Sequence, residues 1–242
     1  MKLVIVRHAD PDYSIDSLTP TGWREAELLS ERLVKTPADA YYVSPLGRAK
    51  DTASLTLKKL GRTAETKEWL REFSPRIVKP GMDRSTSIWD WLPEIWTKEL
   101  RYYDPEEWYH TDAMRSVNAE QEYKWVTKEF DRLLAFHGYE REGLYYRAVR
   151  PNRDTIVLFC HFGVECVLLS HLLHVSPMPL WHGLCAAASS VTTIYTEERR
   201  QGIASFRANA FGDISHLYAA GEEPSFAARF CETWDNENER HD

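Results

Sequence analysis

Cysteines are few in this sequence, and long apolar runs are absent from it. The chain has 242 residues with 4 cysteines, which are too scattered to form the framework of a secreted disulfide-rich protein. No stretch approaches the roughly 18 apolar residues of a membrane span. The apolar run near the start, residues 3–6, is too short for a signal-peptide core and leads directly into Arg7. We therefore expect a cytoplasmic protein that does not bind membranes.

An excess of positive charge is also missing. Lysine and arginine number 30 against 37 aspartates and glutamates, so the formal net charge is -7. Proteins that bind nucleic acid usually carry a basic face and a high isoelectric point, so the sequence argues against nucleic acid as a partner. Hydrophobic residues make up 43%, enough for a sizeable core, and the length suits a single domain over residues 1–242.

Short apolar runs end abruptly at polar residues. Residues 3–6 are Leu-Val-Ile-Val and are followed by Arg7 and His8, and residues 155–160 form a similar run that ends at His161. Runs of this kind are typical of strands buried on both faces of a parallel sheet. In open α/β sheets, ligands bind at the carboxyl edge of the strands. The three polar residues are therefore expected at a ligand-binding edge.

Two helix starts carry the same signal, a hydroxyl residue followed by proline. Thr19-Pro20 predicts a helix to about residue 35, and Ser44-Pro45 predicts one that ends at Gly61. Arg48 then lies in the first turn of the second helix. A cation is disfavoured there by the helix dipole, whereas an anion is favoured, so Arg48 indicates a bound anion.

The remaining chain predicts further elements and an insertion. Residues 64–69 suggest a strand that ends near Glu72, and Ser116 suggests the cap of a helix over 117–136. Two late strands are expected at 191–196 and 203–208. We interpret 74–150 as an insertion over the active-site edge of the sheet. Its tryptophans suit a substrate wall and ordinary packing equally well; they are Trp89, Trp91, Trp96 and Trp108.

If the polar residues meet at one edge, they form a site for a phosphate monoester. Arg7 and Arg48 are permanent cations whose guanidinium groups match phosphate oxygens, and they disfavour protonation of a neighbouring imidazole. A neutral His8 is a competent nucleophile. A carboxyl group beside a bound dianion has a raised pKa, so Glu72 is a candidate acid for the leaving group.

Five segments resemble motifs of one family, the histidine phosphatase superfamily, branch 1, which also contains cofactor-dependent phosphoglycerate mutase. The segments are LVIVRH at 3–8, LTPTG at 18–22, SPLGRAKDTA at 44–53, LRE at 70–72 and FCHFG at 159–163. They cover about a third of the chain and occur in the family's order. A single Arg-His pair is weak evidence, but the five together are strong.

The resemblance implies a fold and a set of roles. The expected fold is a three-layer α/β fold, with a mostly parallel mixed sheet and helices on both faces. His8 would accept the phosphoryl group, and Arg7, Arg48 and His161 would hold its oxygens. Glu72 would protonate the leaving alkoxide and then activate water. No metal or other cofactor is implied.

Three positions depart from the family pattern. Ala9 and Phe162 stand where many members have glycine, and Ser14 stands where mutases have an asparagine near the phosphate. We still expect Ser14 at the phosphate. The departures at Ser14 and Phe162 count against mutase activity.

The sequence predicts a phosphomonoesterase for a small phosphorylated metabolite, acting through a phosphohistidine. The alternatives are a phosphoglycerate mutase-type transferase, a catalytically inactive phosphate-binding regulatory domain and a phosphatase for protein phosphohistidine. The presence of every catalytic residue type argues against the inactive domain, and the insertion favours a closed pocket for a small molecule.

Overall fold

A computed structural model describes residues 1–79, 83–227 and 229–241. The strands are β1 (Lys2–Arg7), β2 (Pro11–Asp12), β3 (Ser17–Leu18), β4 (Ala40–Val43), β5 (Glu65–Thr66), β6 (Arg76–Val78), β7 (Ser85–Ser87), β8 (Tyr139–Glu142), β9 (Tyr145–Ala148), β10 (Thr155–Cys160), β11 (Val191–Arg200) and β12 (Ile203–Asp213). The helices are α1 (Pro20–Leu33), α2 (Gly47–Leu60), α3 (Pro93–Trp96), α4 (Asp112–Arg115), α5 (Ala119–Phe136), α6 (Phe162–Leu173), α7 (Pro177–Gly183) and α8 (Ser215–Tyr218). Within these ranges no helix is both long and apolar enough to cross a membrane.

The main sheet is mixed, and its two halves differ. Its strand order is β5-β4-β10-β1-β11-β12-β9-β8. The strands from β5 to β1 are parallel, whereas the pairs from β1 to β8 are antiparallel. The predicted α/β fold is confirmed, but the sheet is parallel only in the half that ends at β1. The other half is antiparallel because its strands form two hairpins, and a short loop joins only antiparallel neighbours.

Helices cover both faces of the sheet. Along β1, Val4 and Val6 pack on one side in a cluster that includes Leu29 of α1 and Ala53 of α2. Ile5 points to the other side, in the larger cluster that contains residues of α5 and α6. This separation follows from the pleat, which sends successive side chains to opposite faces. The three-layer arrangement predicted from the sequence is therefore present.

The ends of α1 and α2 match the sequence signals in part. Thr19 caps α1, since its hydroxyl accepts the N–H of Gly22 at 3.0 Å, and Gly61 ends α2 with a left-handed φ of 62°. The start of α2 differs from the prediction. The helix begins at Gly47, whose N–H donates to the Asp16 carboxylate at 2.7 Å, and not at a cap formed by Ser44.

Two other boundaries predicted from the sequence are wrong. The strand expected at 64–69 is only β5, after which the chain enters a 3-10 turn at Glu68–Leu70. This turn buries Trp69 and Leu70, and an extended strand would send two successive side chains to opposite faces. Ser116 does not cap α5, because its hydroxyl donates to the carbonyl of Ala113 at 2.6 Å and closes the end of α4.

Gly22 is required by the close approach of α1 to the loop after His8. A methyl group at Gly22 would lie 2.2 Å from the carbonyl oxygen of Asp10. Alanine normally stabilises a helix relative to glycine. At this position the clash with the backbone makes the substitution destabilising. We expect Gly22→Ala to lower the free energy of unfolding by about 3 kcal/mol in urea denaturation. Gly183→Ala is the control, because no atom lies within 4 Å of its added methyl group. Equal stability changes in the two variants would contradict this account.

Candidate active site

Adjacent parallel strands bring the two histidines of the sequence motifs together. Arg7 ends β1 opposite Cys160, which ends β10, so His8 and His161 follow at the same height on neighbouring strands. Their ring centroids lie 5.0 Å apart. The charges of Arg7 and Arg48 both act on the His161 ring. The structure thus brings His8 and His161 together at the carboxyl edge of the parallel half of the sheet.

His8 is held as a neutral imidazole with a defined tautomer. The side chain is 2% exposed, and its Nδ1 lies 2.8 Å from the carbonyl oxygen of Ala9. Because a carbonyl only accepts, Nδ1 carries the proton, which leaves a lone pair on Nε2. Burial, and then the neighbouring Arg7 charge, lower the pKa of His8 well below its ordinary value. His8 therefore presents an unprotonated Nε2 at neutral pH.

The loop after His8 is bonded to helix α2. The Ala9 N–H donates to the hydroxyl of Thr52 at 2.9 Å, and this hydroxyl donates to the carbonyl of Arg48 at 2.7 Å. Ala9 and Thr52 are both fully buried. The contact fixes the distance between the nucleophile and the first turn of α2, where Arg48 lies.

Both arginines keep a buried N–H group without a protein partner. Arg7 donates through Nη1 to the carbonyl of Ala186, and Arg48 donates through Nη1 to the Asp16 carboxylate at 2.6 Å. The Nε groups of the two arginines are buried and have no hydrogen-bond partner among the described residues. Buried donors are nearly always paired, so two such groups beside one nucleophile indicate a site for an anion.

His161 adds a third donor of the same kind. Its Nε2 lies 2.7 Å from the hydroxyl of Ser44, and its Nδ1 is buried without a partner in the described part of the chain. Burial and the charges of Arg48 and Arg7 lower its pKa well below the ordinary value. A neutral ring that accepts the Ser44 hydroxyl at Nε2 carries its proton on Nδ1. This N–H is the third buried donor of the site.

Glu72 lies at the N-terminus of α6, the helix that begins directly after His161. Its Oε1 accepts the N–H groups of Phe73 at 2.8 Å and Val164 at 3.0 Å. Burial raises the pKa of Glu72, and these backbone donors oppose the rise. A Cβ at Gly163 would lie 2.6 Å from the same oxygen, so a residue without a side chain is needed there. The geometry suits a carboxyl group that exchanges a proton with a ligand.

Ser14 lies on the loop between β2 and β3 and is exposed. Its hydroxyl donates to the Asp12 carboxylate at 2.5 Å. Other residues of this loop contact the site: the ring centroid of Tyr13 lies 5.4 Å from Cζ of Arg48, and the Asp16 carboxylate pairs with the same arginine. Binding of phosphate by Ser14 stays a prediction.

Residues outside the predicted set also shape the site. Asp16 caps α2 and pairs with Arg48, although no sequence pattern places it there. Trp89 is half-buried and donates its indole N–H to the carbonyl of Phe73 at 2.9 Å, beside Glu72. Trp108, in contrast, is fully buried and contacts Trp181 edge to face. Of the tryptophans between residues 74 and 150, Trp89 therefore lies at the site and Trp108 lies in the core.

Comparison with known proteins identifies relatives of this arrangement. The model of the histidine phosphatase superfamily (branch 1) matches residues 3–209. A protein of Hydrogenobacter thermophilus described as a candidate phosphoserine phosphatase 2 is 38% identical over 82 residues. That match covers 30% of this chain and 40% of the relative, so it spans less than half of the relative's length.

Solved structures share the fold at low sequence identity. A mutant phosphoserine phosphatase from Entamoeba histolytica in complex with phosphoserine superposes with a TM-score of 0.58 at 19% identity, covering 89% of this chain and 98% of that one. A mycobacterial glucosyl-3-phosphoglycerate phosphatase has a TM-score of 0.54, also at 19% identity, with 87% and 98% covered. The family match spans most of the chain and includes both histidines, so the chain belongs to branch 1 of the histidine phosphatase superfamily.

Proposed function

We propose that this protein is a phosphomonoesterase that hydrolyses a small phosphorylated metabolite through a phosphohistidine on His8. The observation that carries the proposal is the buried Nε2 lone pair of His8, fixed by the Ala9 carbonyl beside three unpaired donors. A nucleophile and a set of donors for three phosphate oxygens are what phosphoryl transfer requires.

In the first step Nε2 of His8 attacks phosphorus, and the bond between phosphorus and the ester oxygen breaks. The Nε groups of Arg7 and Arg48 and the Nδ1 of His161 donate to the transferred oxygens. Glu72 gives its proton to the departing alkoxide, which leaves as an alcohol. The products of this step are a phosphohistidine and an ionised Glu72.

In the second step water hydrolyses the phosphohistidine. The Glu72 carboxylate takes a proton from water, and the resulting hydroxide attacks phosphorus while the bond from phosphorus to Nε2 breaks. Phosphate leaves, and His8 and the protonated Glu72 are regenerated. The raised pKa of Glu72 suits this exchange, because a carboxyl group of ordinary acidity is largely ionised at neutral pH.

Two features favour hydrolysis over the alternatives. Phe162 stands after His161 where many family members have glycine, and its bulky, mostly buried ring packs against Trp89, a departure that counts against a mutase. The relatives named above are described as phosphatases of phosphoserine and glucosyl-3-phosphoglycerate. Both descriptions name small phosphate esters of metabolites, which supports hydrolysis of an ester of this class.

The test is phosphate release in excess EDTA from p-nitrophenyl phosphate, phosphoserine and 3-phosphoglycerate. We expect turnover of at least one ester at about 1 per second or faster, without added metal. Loss of turnover in EDTA that returns with a divalent cation would refute the metal-independent mechanism. Isomerisation of 3-phosphoglycerate that outpaces phosphate release would instead assign a mutase. Phosphate binding without turnover of any ester would assign an inactive binding domain.

A further inference from the structure

A second carboxyl group lies behind the phosphate site and has no part in the mechanism above. Glu165 is the fourth residue of α6, on the helix that begins directly after His161. It is 1% exposed, and its Oε1 is buried without a hydrogen-bond partner among the described residues. Glutamates are almost never fully buried unless they are paired, so the buried carboxyl group of Glu165 is unusual.

The surroundings of Glu165 connect it to Arg7. The side chain of Thr192 on β11, which lies opposite Ile5 of β1, lowers the pKa of this carboxyl group against the effect of burial. The charge of Arg7, two residues farther along β1, acts on Glu165, and the Nε of that arginine also lacks a protein partner. Arg7 points, like Ile5, to the face of the sheet that α6 covers, and both the carboxyl group of Glu165 and the guanidinium group of Arg7 keep unused hydrogen-bonding capacity among the described residues.

Several other groups surround Glu165. Glu72 approaches from the loop before the insertion, Cys160 from β10 and Cys166 from the same helix. Desolvation dominates over the attraction of Arg7, and it raises the pKa of Glu165 to about 7. The carboxyl group is therefore neutral in mildly acidic solution and ionised in mildly basic solution, while Arg7 stays charged throughout.

We propose that Glu165 is a positioning residue that sets the strength of phosphate binding by Arg7, taking up a proton when phosphate binds. A neutral Glu165 leaves the charge of Arg7 available to phosphate. An ionised Glu165 competes with phosphate for that charge and adds a second anion to the site. Phosphate binding and protonation of Glu165 therefore favour each other, as linkage requires. This inference rests on the phosphate site of the proposed function.

The test compares the dissociation constant of inorganic phosphate between wild type and Glu165→Gln by calorimetry from pH 5.5 to 8.5. Glutamine keeps the shape of the side chain and stays neutral, and the titration of phosphate itself cancels in the ratio. We expect equal affinities at pH 5.5 and about tenfold weaker binding by the wild type at pH 8.5, as for a one-unit pKa shift. A ratio that does not change with pH would overturn the proposal, as would a wild type that does not bind phosphate.

Two further measurements do not depend on the folding of that variant. Thr192→Val removes the polar side chain that lowers the pKa of Glu165, so the change in phosphate affinity should move to higher pH. In the wild type at pH 8, calorimetry in two buffers of different ionisation enthalpy should show proton uptake on phosphate binding. Absence of both effects refutes the inference.

Phosphate binding and ester turnover, measured on the same protein, test this inference and the proposed function separately. A protein that binds phosphate with the expected pH dependence but turns over no ester retains the role of Glu165 and loses the phosphatase assignment. A protein that turns over esters with a pH-independent affinity ratio retains the phosphatase assignment and loses the role of Glu165.

Discussion

Replacement of His8 by alanine should lower turnover of every phosphate ester by at least about 10⁴-fold while the chain stays folded. The reason is that Nε2 of His8 is the nucleophile of the proposed mechanism, and water is a poor substitute. The small side chain does not disturb the loop, because the Ala9 N–H keeps its bond to Thr52. The measurement is phosphate release by wild type and variant with equal far-ultraviolet circular dichroism.

A matched control comes from a second buried histidine. His137 is 6% exposed, bonds through Nε2 to the Tyr42 hydroxyl at 2.8 Å and lies outside the site. Its replacement by alanine should retain turnover although it also removes a buried imidazole. Acid-labile labelling by a phosphoryl donor should appear in the wild type and in His137→Ala but not in His8→Ala. Substantial turnover by a folded His8→Ala protein would rule out the phosphohistidine mechanism.

Replacement of Glu72 by glutamine should separate substrates by their leaving groups. Alkyl alcohols are poor leaving groups that need the proton of Glu72, so their turnover should fall by about 10²–10⁴-fold. Aryl phosphates leave as stable phenolates and should lose less than about tenfold in the first step. The measurement is kcat/KM for phosphoserine and for p-nitrophenyl phosphate in both proteins. Equal losses on the two substrates would remove Glu72 from the acid role.

The pH dependence of ester hydrolysis is a second test of the role of Glu72. The lowered pKa of His8 keeps the nucleophile neutral at and below neutral pH, so activity is lost only when acid protonates it. The raised pKa of Glu72 keeps the acid protonated above its ordinary range, so alkyl ester hydrolysis falls as pH rises through that value. The basic limb of kcat, measured at saturating substrate so that weaker phosphate binding at high pH does not contribute, should disappear in Glu72→Gln. It should persist in Glu122→Gln, a control whose carboxylate pairs with Arg71.

The sequence predicted the elements whose signals are local. Thr19 and Gly61 mark helix ends through their own side chain or backbone conformation, so capping chemistry was enough to place them. Continuous apolar runs located β1 and β10, and the polar residues after them lie at one edge because both strands are parallel neighbours. The positions of His8 and His161 follow from those two facts.

Predictions from local sequence signals were wrong where the same residues fit two different local structures. The run at 64–69 has strand-like residues, but burial of Trp69 together with Leu70 selects a turn. Ser116 is a good cap residue at the expected distance from a helix, yet it closes the helix before it instead of opening the next. The first choice depends on neighbours that are distant in sequence, whereas the second lies between two local contacts that the same serine can make.

What the sequence alone determined is the inventory of the site and the order of its motifs along the chain. The tertiary structure alone decided the tautomer of His8, the cap that Asp16 supplies to α2, the bond between Ser44 and His161 and the burial of Glu165 behind Arg7. The physical reason is that tautomer, ion pairing and desolvation depend on distances of a few ångströms between segments far apart in the chain. Residue spacing does not record such distances.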